Sequence, residues 1–206
     1  MPLHVVQHPL IEDVLAGLRD RNTRAEEFRR LARRVSLLLA AIATGDLPLA
    51  EDRVETPLES ARVKRLASRV VAVPVLRAGL GMLDAFLEIV PQAEVGYFGL
   101  ERNEATAVAR RYYEKVPPEL GAAVVFLLDP MLATGGSAAM AVEGLEALGA
   151  RAVRLLSIVS APEGIEQLAK RSPDTLVFTA AVDRELNDRK YILPGLGDFG
   201  DRLYGT

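Results

Sequence analysis

The chain has 206 residues, half of them hydrophobic, no cysteine and a formal net charge of −3. That length and composition suit one domain, residues 1–206, with a substantial core, and exclude a disordered chain, a disulfide framework and thiol catalysis. The mild charge, without a basic or acidic tail, speaks against a general affinity for nucleic acid. The apolar runs are too short to cross a bilayer. The start, Met1 to His8, has neither the basic nor the apolar region of a secretory signal, so a cytoplasmic protein without membrane partners is expected.

In chain order, Ile11, Val14, Leu15 and Leu18 fall at the spacing of a helix with one buried stripe. Thr23-Arg24-Ala25-Glu26 reads as a capping box, and Phe28, Leu31, Ala32, Val35, Leu38, Leu39 and Ile42 form a second stripe that Gly45 stops. Residues 1–45 thus read as an N-terminal helical hairpin. Asp46 to Lys64 is charged and irregular, a connection with room for a short strand. Arg69 to Leu76 is β-branched and apolar, a buried strand despite Pro74; a turn at Arg77 to Gly81 leads to a short helix from Met82 to Glu88. Ala93 to Leu100 reads as a strand, and the polar segment 101–115, with Tyr112-Tyr113, as a flexible β-arm or flap. Further strands are expected at Ala122–Leu128, Ala152–Val159 and Thr175–Val182, with helices at Ser137–Leu148 and Glu163–Lys170. The tail 183–206 is glycine-rich, an ordered or liganded loop rather than an element. Alternating strands and helices imply an α/β fold: a mostly parallel central sheet with helices on both faces.

In such sheets ligands lie beyond the carboxyl ends of the strands. Three of those ends carry polar or glycine-rich sequence: Arg77 to Gly81, Asp129 to Ser137, and Asp183 onward. At the second, the run Val124 to Leu128 ends in Asp129, and a loop closes on Thr134-Gly135-Gly136-Ser137 before a helix. Backbone N–H groups, hydroxyls and a helix N-terminus converge there, a place that binds phosphate; the acid before it can take sugar hydroxyls or a metal. The P-loop lysine is missing, which leaves an ATPase or kinase little support. Gly195-Leu196-Gly197-Asp198-Phe199-Gly200 is a literal dinucleotide fingerprint that fails on context, since no strand is expected before it and no helix after it. His4 and His8 have zinc-helix spacing but no third ligand. Arg29, Arg30, Arg33 and Arg34 read as a solvated or subunit-facing surface, and Asp201-Arg202 as a local ion pair.

Three segments in order resemble the uracil phosphoribosyltransferase family, of the type I phosphoribosyltransferase fold. They are Val75-Leu76-Arg77-Ala78-Gly79-Leu80-Gly81-Met82, the Asp129-Pro130-Met131-Leu132-Ala133-Thr134-Gly135-Gly136-Ser137 loop, and Tyr191 to Arg202. His8-Pro9-Leu10 with Arg19-Asp20 is similar to the family's opening. The resemblance implies transfer of phosphoribose from 5-phospho-α-D-ribose 1-diphosphate to N1 of uracil, giving UMP and diphosphate in pyrimidine salvage. It gives Arg77, Asp129 and Asp198 the catalytic roles. It assigns the sugar diphosphate to Arg77, Ala78, Gly79, Arg102, Asp129, Pro130, Met131, Leu132, Ala133, Thr134, Gly135, Gly136, Ser137 and Asp198. Uracil falls to Tyr191, Ile192, Gly197, Asp198 and Phe199. Mg2+ is the implied cofactor, bridged by the diphosphate with Asp198 as a candidate ligand, and the implied assembly is a homodimer or higher homo-oligomer; a GTP effector stays open. The chain departs from the family in its arm, with Glu101 before Arg102 and Ala105 after Glu104. Two alternatives stand beside this reading: transfer to another base, and a nucleotide-sensing, RNA-binding regulator of the same fold.

Overall fold

A computed structural model describes residues 1–102 and 109–206, with side chains outside 101–109. It opens with strand β1 (Leu3–Val5) and helices α1 (Pro9–Arg19) and α2 (Ala25–Ala43), followed by the hairpin β2 (Leu49–Glu55) and β3 (Ser60–Leu66). Then come β4 (Arg69–Leu76), α3 (Leu80–Ile89), β5 (Glu94–Val95), β6 (Tyr97–Arg102) and β7 (Ala109–Lys115). The second half holds β8 (Ala123–Leu128), β9 (Met131–Leu132), α4 (Gly136–Ala147), β10 (Ala152–Ser160), α5 (Pro162–Arg171) and β11 (Leu176–Val182). The tail adds β12 (Glu185–Leu186), β13 (Ile192–Leu193) and α6 (Phe199–Tyr204).

The main sheet runs β1-β11-β10-β8-β4-β6-β7, parallel throughout except for the antiparallel β6–β7 pair at one edge. Side chains of successive strand residues point to opposite faces, and here both faces are apolar. Val70, Ala72, Phe126, Leu128, Leu156, Ile158 and Phe178 join α1, α2, α3 and α6 in one core, with Phe28 set edge-on to Phe199 at 5.2 Å. Val71, Val73, Val75, Val125, Leu127, Val153 and Leu155 join α4 and α5 in the other. Two-sided burial explains why these strands read as continuous apolar runs. Pro74 fits the central β4 because it falls between the stretches paired on that edge, Val71–Ala72 with β5 and Val75–Leu76 with β6.

Several expectations need correction. The connection at 46–64 is an antiparallel hairpin in register from Leu49 with Leu66 to Glu55 with Ser60. Its strands are largely exposed on both faces, so no apolar alternation marked them. The capping box is not formed: Arg24 caps α2 without a side-chain bond, and Thr23 Oγ1 donates to the Gly17 carbonyl at 2.6 Å. The expected strand at 93–100 is two strands broken at Gly96. The tail is not a loop alone, since it forms β12, β13 and α6. The fingerprint at Gly195 to Gly200 therefore does follow a short strand and open a helix. That strand is two residues long and the helix six, outside the βαβ unit such a fingerprint requires.

Candidate functional site

The carboxyl ends of β4 and β8 and the tail after β11 meet on one rim. After β4, Gly79 N–H bonds the Val75 carbonyl at 2.8 Å. A Cβ on Gly79 would stand 2.3 Å from the Leu128 carbonyl oxygen and 2.7 Å from Val75 N, so only glycine lets the turn lie this close to β8. The turn carries Arg77 into solvent with 63 % of its side chain exposed. Its guanidinium lies over the Tyr204 ring at 5.7 Å and 4.0 Å from Asp201, and the Tyr204 hydroxyl donates to its carbonyl at 3.2 Å. Burial pushes the Tyr204 phenol up.

After β8, Asp129 is half-buried, and its backbone N–H bonds the Leu156 carbonyl at 3.1 Å. Pro130 is buried, and its carbonyl accepts from Ile158 and Val159, which ties the loop to β10. The Ser157 hydroxyl accepts the Leu132 N–H at 3.2 Å. Gly135, at φ +76°, caps α4, and a Cβ there would meet the Gly164 carbonyl oxygen at 2.6 Å. The Thr134 hydroxyl accepts the Gly136 N–H at 3.5 Å. The loop thus delivers first-turn N–H groups of α4, which no helical carbonyl can satisfy, to the rim.

The tail is held from behind. Asp183, buried just past β11, pairs with Arg19 at 2.7 Å, and this bond raises the Arg19 pKa. Arg202 is not paired with its neighbour as expected. It donates to the Leu18 carbonyl, to the Asp20 carbonyl at 2.6 Å and to the Leu196 carbonyl at 2.7 Å, and it stacks on Phe28 at 4.5 Å. Burial lowers its pKa. Asp198 is exposed and caps α6, its carboxylate accepting the Asp201 N–H at 2.9 Å.

These loops enclose two adjoining chambers. One, of about 190 Å³, is lined by Val75 to Ala78, Leu100, Asp129, Met131 to Gly135, Ser137 and Ala138. The other, of about 580 Å³, is lined by Arg189 to Ile192 and Gly197 to Gly200, and shares Ala78, Met131 and Ala133 with the first. Asp129 and Asp198 therefore face one continuous cleft. Tyr191, Ile192, Gly197 and Phe199 lie on its larger side. Gly79, Pro130 and Gly136 do not themselves line it, and the Arg102 side chain lies outside the described residues. Arg189 and Lys190 are lining residues that the sequence reading missed; the polar turn Asn187-Asp188 before Tyr191 was the available signal.

The histidines and the arginine face make contacts away from the cleft. His8 Nδ1 accepts the Leu10 N–H at 3.1 Å as the α1 cap, and His4 stacks on Phe178. Of the arginine face, Arg30 pairs with Glu27, Arg33 with Glu88 and Arg34 with Asp13, while Arg29 donates to the Leu203 carbonyl. Among the described residues no group of three or more His, Asp or Glu could hold a metal, and no helix is long and apolar enough to cross a membrane.

The sequence pattern described as Uracil phosphoribosyltransferase matches residues 5–206. The chain belongs to the uracil phosphoribosyltransferase family. It is 50 % identical over 207 residues to the uracil phosphoribosyltransferase of Thermus thermophilus, covering all of both chains. It is 48 % identical over 202 residues to that of Clostridium perfringens, covering 98 % of this chain and 97 % of the relative. A solved Aquifex aeolicus protein superimposes with a TM-score of 0.95 at 37 % identity, over 99 % of this chain and 98 % of that one. A hypoxanthine-guanine phosphoribosyltransferase from Bacillus anthracis superimposes with a TM-score of 0.53 at 10 % identity, over 77 % and 80 % of the two chains, which shows the shared fold alone. The cleft of this uracil phosphoribosyltransferase family member lies where type I sheets present ligands, at the carboxyl ends of the strands.

Proposed function

We propose that the protein transfers the phosphoribosyl group of 5-phospho-α-D-ribose 1-diphosphate to N1 of uracil, forming UMP and diphosphate. The observation that carries this reading is the continuous cleft. A loop of phosphate-binding type and an acid line one chamber, a larger chamber formed by the tail opens beside it, and Ala78, Met131 and Ala133 join the two. The larger volume falls within the range of about 300–1,000 Å³ usual for small-molecule sites.

In this reading the α4 N-terminus, with Thr134 and Ser137, takes the 5′-phosphate, and Asp129 accepts from the ribose hydroxyls. Arg77 and the Ala78 backbone hold the diphosphate, whose negative charge grows as the bond from the anomeric carbon to oxygen breaks. The electron pair of that bond leaves with the diphosphate, N1 of uracil bonds to the carbon, and the N1 proton passes to solvent. Ile192, Gly197, Asp198 and Phe199 present backbone and carboxylate groups to the flat amide edges of the base, with Tyr191 at its side. The protein's contribution is alignment and charge stabilisation.

Phosphoribosyltransferases generally use a divalent metal. Magnesium suits the donors present, since two carboxylates face the cleft and hard cations prefer oxygen ligands and bridge phosphates. In this reading Asp198 would hold the metal, which would neutralise leaving-group charge on the diphosphate. A homo-oligomer completes the proposal, and the same assay reads whether GTP has any effect. The test is UMP formation from uracil, phosphoribosyl diphosphate and magnesium, repeated with EDTA and with GTP, alongside sedimentation. UMP that appears with magnesium and vanishes with EDTA supports the reading. A nucleotide made only from another base rejects it.

A further inference from the structure

The ion pair behind the tail belongs to neither chamber. Arg19, the last residue of α1, grips Asp183 with both prongs at 2.7 Å, Nη1 to Oδ2 and Nη2 to Oδ1. The same Nη1 donates to the Gly195 carbonyl at 2.8 Å, and the same Oδ2 accepts the Gly195 N–H at 2.8 Å. Both polar groups of one peptide residue are thus satisfied by a single two-residue clamp, formed between segments more than 160 positions apart in the chain. Gly195 sits at φ +62°, and a Cβ there would meet the Ile192 carbonyl oxygen at 2.1 Å. The turn from Ile192 to Gly197 is therefore closed tightly on itself, and its two ends are wall residues of the larger chamber.

Such a clamp is a poor device for stability alone. The Asp183 side chain is only 5 % exposed, and taking two charges out of water offsets most of what their attraction returns. What a planar guanidinium facing a carboxylate supplies is direction, because the paired bonds admit one orientation. Here that orientation is passed to the Gly195 peptide, and through it to the residues two or three positions away that face the cleft.

We infer that Arg19 and Asp183 are positioning residues for the base: they set its affinity by fixing the Ile192–Gly197 turn, without touching it. This rests on the assignment of the larger chamber to uracil. Neither residue reaches the loops after β4 and β8, so the contacts those loops make with the sugar diphosphate do not depend on them.

The test is steady-state kinetics of Asp183→Asn, Arg19→Lys and Arg19→Ala, with phosphoribosyl diphosphate binding measured separately by calorimetry and melting followed in parallel. Asp183→Asn keeps the shape of the side chain but loses the charge. The expected result is a rise in the uracil KM of about ten-fold or more, the scale of a lost charge-assisted bond, with sugar diphosphate affinity changed far less. Arg19→Lys, which keeps the charge but not the planar fork, lies between wild type and Arg19→Ala in uracil KM. Should Arg19→Ala fail to fold, the two milder variants carry the comparison. An unchanged uracil KM in Asp183→Asn overturns the inference while the function stands. So does a loss of affinity for both substrates in step with melting, which marks a merely structural pair. Wild-type protein that forms no UMP overturns the functional reading and this inference with it.

Discussion

Replacing Gly164 with alanine tests whether α5 shapes the phosphate-type loop from behind. Gly164 lies buried in α5, and a Cβ there would stand 2.4 Å from the Ala133 carbonyl oxygen and 2.7 Å from that of Leu132. Real Cβ atoms essentially never come within 3.0 Å of a neighbour, and both of these neighbours are backbone, with no flexible end to swing away. Helix and loop must part by roughly half an ångström, and overpacking of this kind costs about 1–3 kcal/mol. Contact with two main-chain atoms places this site near the upper end, and alanine's better helix propensity returns about 1 kcal/mol. The net is about 2 kcal/mol, or a melting temperature lower by about 4–8 °C for a chain of this size. Because Ala133 is part of the wall shared by both chambers, the KM for phosphoribosyl diphosphate rises as well. Gly121→Ala is the control, since its Cβ would meet nothing nearer than the Gly149 carbonyl oxygen at 3.4 Å. Thermal melting and substrate titration of the two variants side by side make the measurement. Were Gly164→Ala to melt with Gly121→Ala and keep its KM, the loop would not be confined by α5 and the reasoning would be wrong.

Three further outcomes are expected. Arg77→Ala lowers kcat by about 10²-fold or more, the scale of losing a donor to developing charge, while its exposed side chain leaves melting nearly unchanged; kinetics and melting on one preparation check both halves. Asp198→Asn retains the α6 cap, because asparagine caps as well as aspartate, yet loses transfer, and full activity would remove Asp198 from the mechanism. Asp46, bonded to Arg154, has its carboxyl held below the usual range by that hydrogen bond. A depressed carboxylate adds stability above its unfolded pKa of about 3.9 that disappears as pH falls through the folded value. Urea midpoints between pH 7 and pH 3 should therefore fall less steeply for Asp46→Asn than for wild type.

Much of the architecture could be read in the residues because burial on two faces leaves an unmistakable trace. Val70 to Val75 and Val125 to Leu128 are apolar without a break, and Ile11 to Leu18 and Phe28 to Leu39 keep helical spacing. The hairpin at 49–66 left no such trace, since neither of its faces enters a core. The tail hid its elements for a different reason. β12, β13 and α6 are too short to show a period, and the tail that carries them is held to α1 by Arg19, Arg202 and Asp183. Arg189 and Lys190 escaped notice because charge in a turn ordinarily means solvent.

Residue order alone thus determined the class of fold and the three segments that meet at the rim, since these follow from local composition and from the rule that strand ends face ligands. Tertiary structure decided the rest. It placed Asp129 and Asp198 on one cleft, set Gly164 under Ala133, and turned Arg19 and Asp183 into a clamp on Gly195. Each of these joins segments far apart in sequence, and a hydrogen bond or a steric limit between such segments comes into being only when packing brings them within a few ångströms.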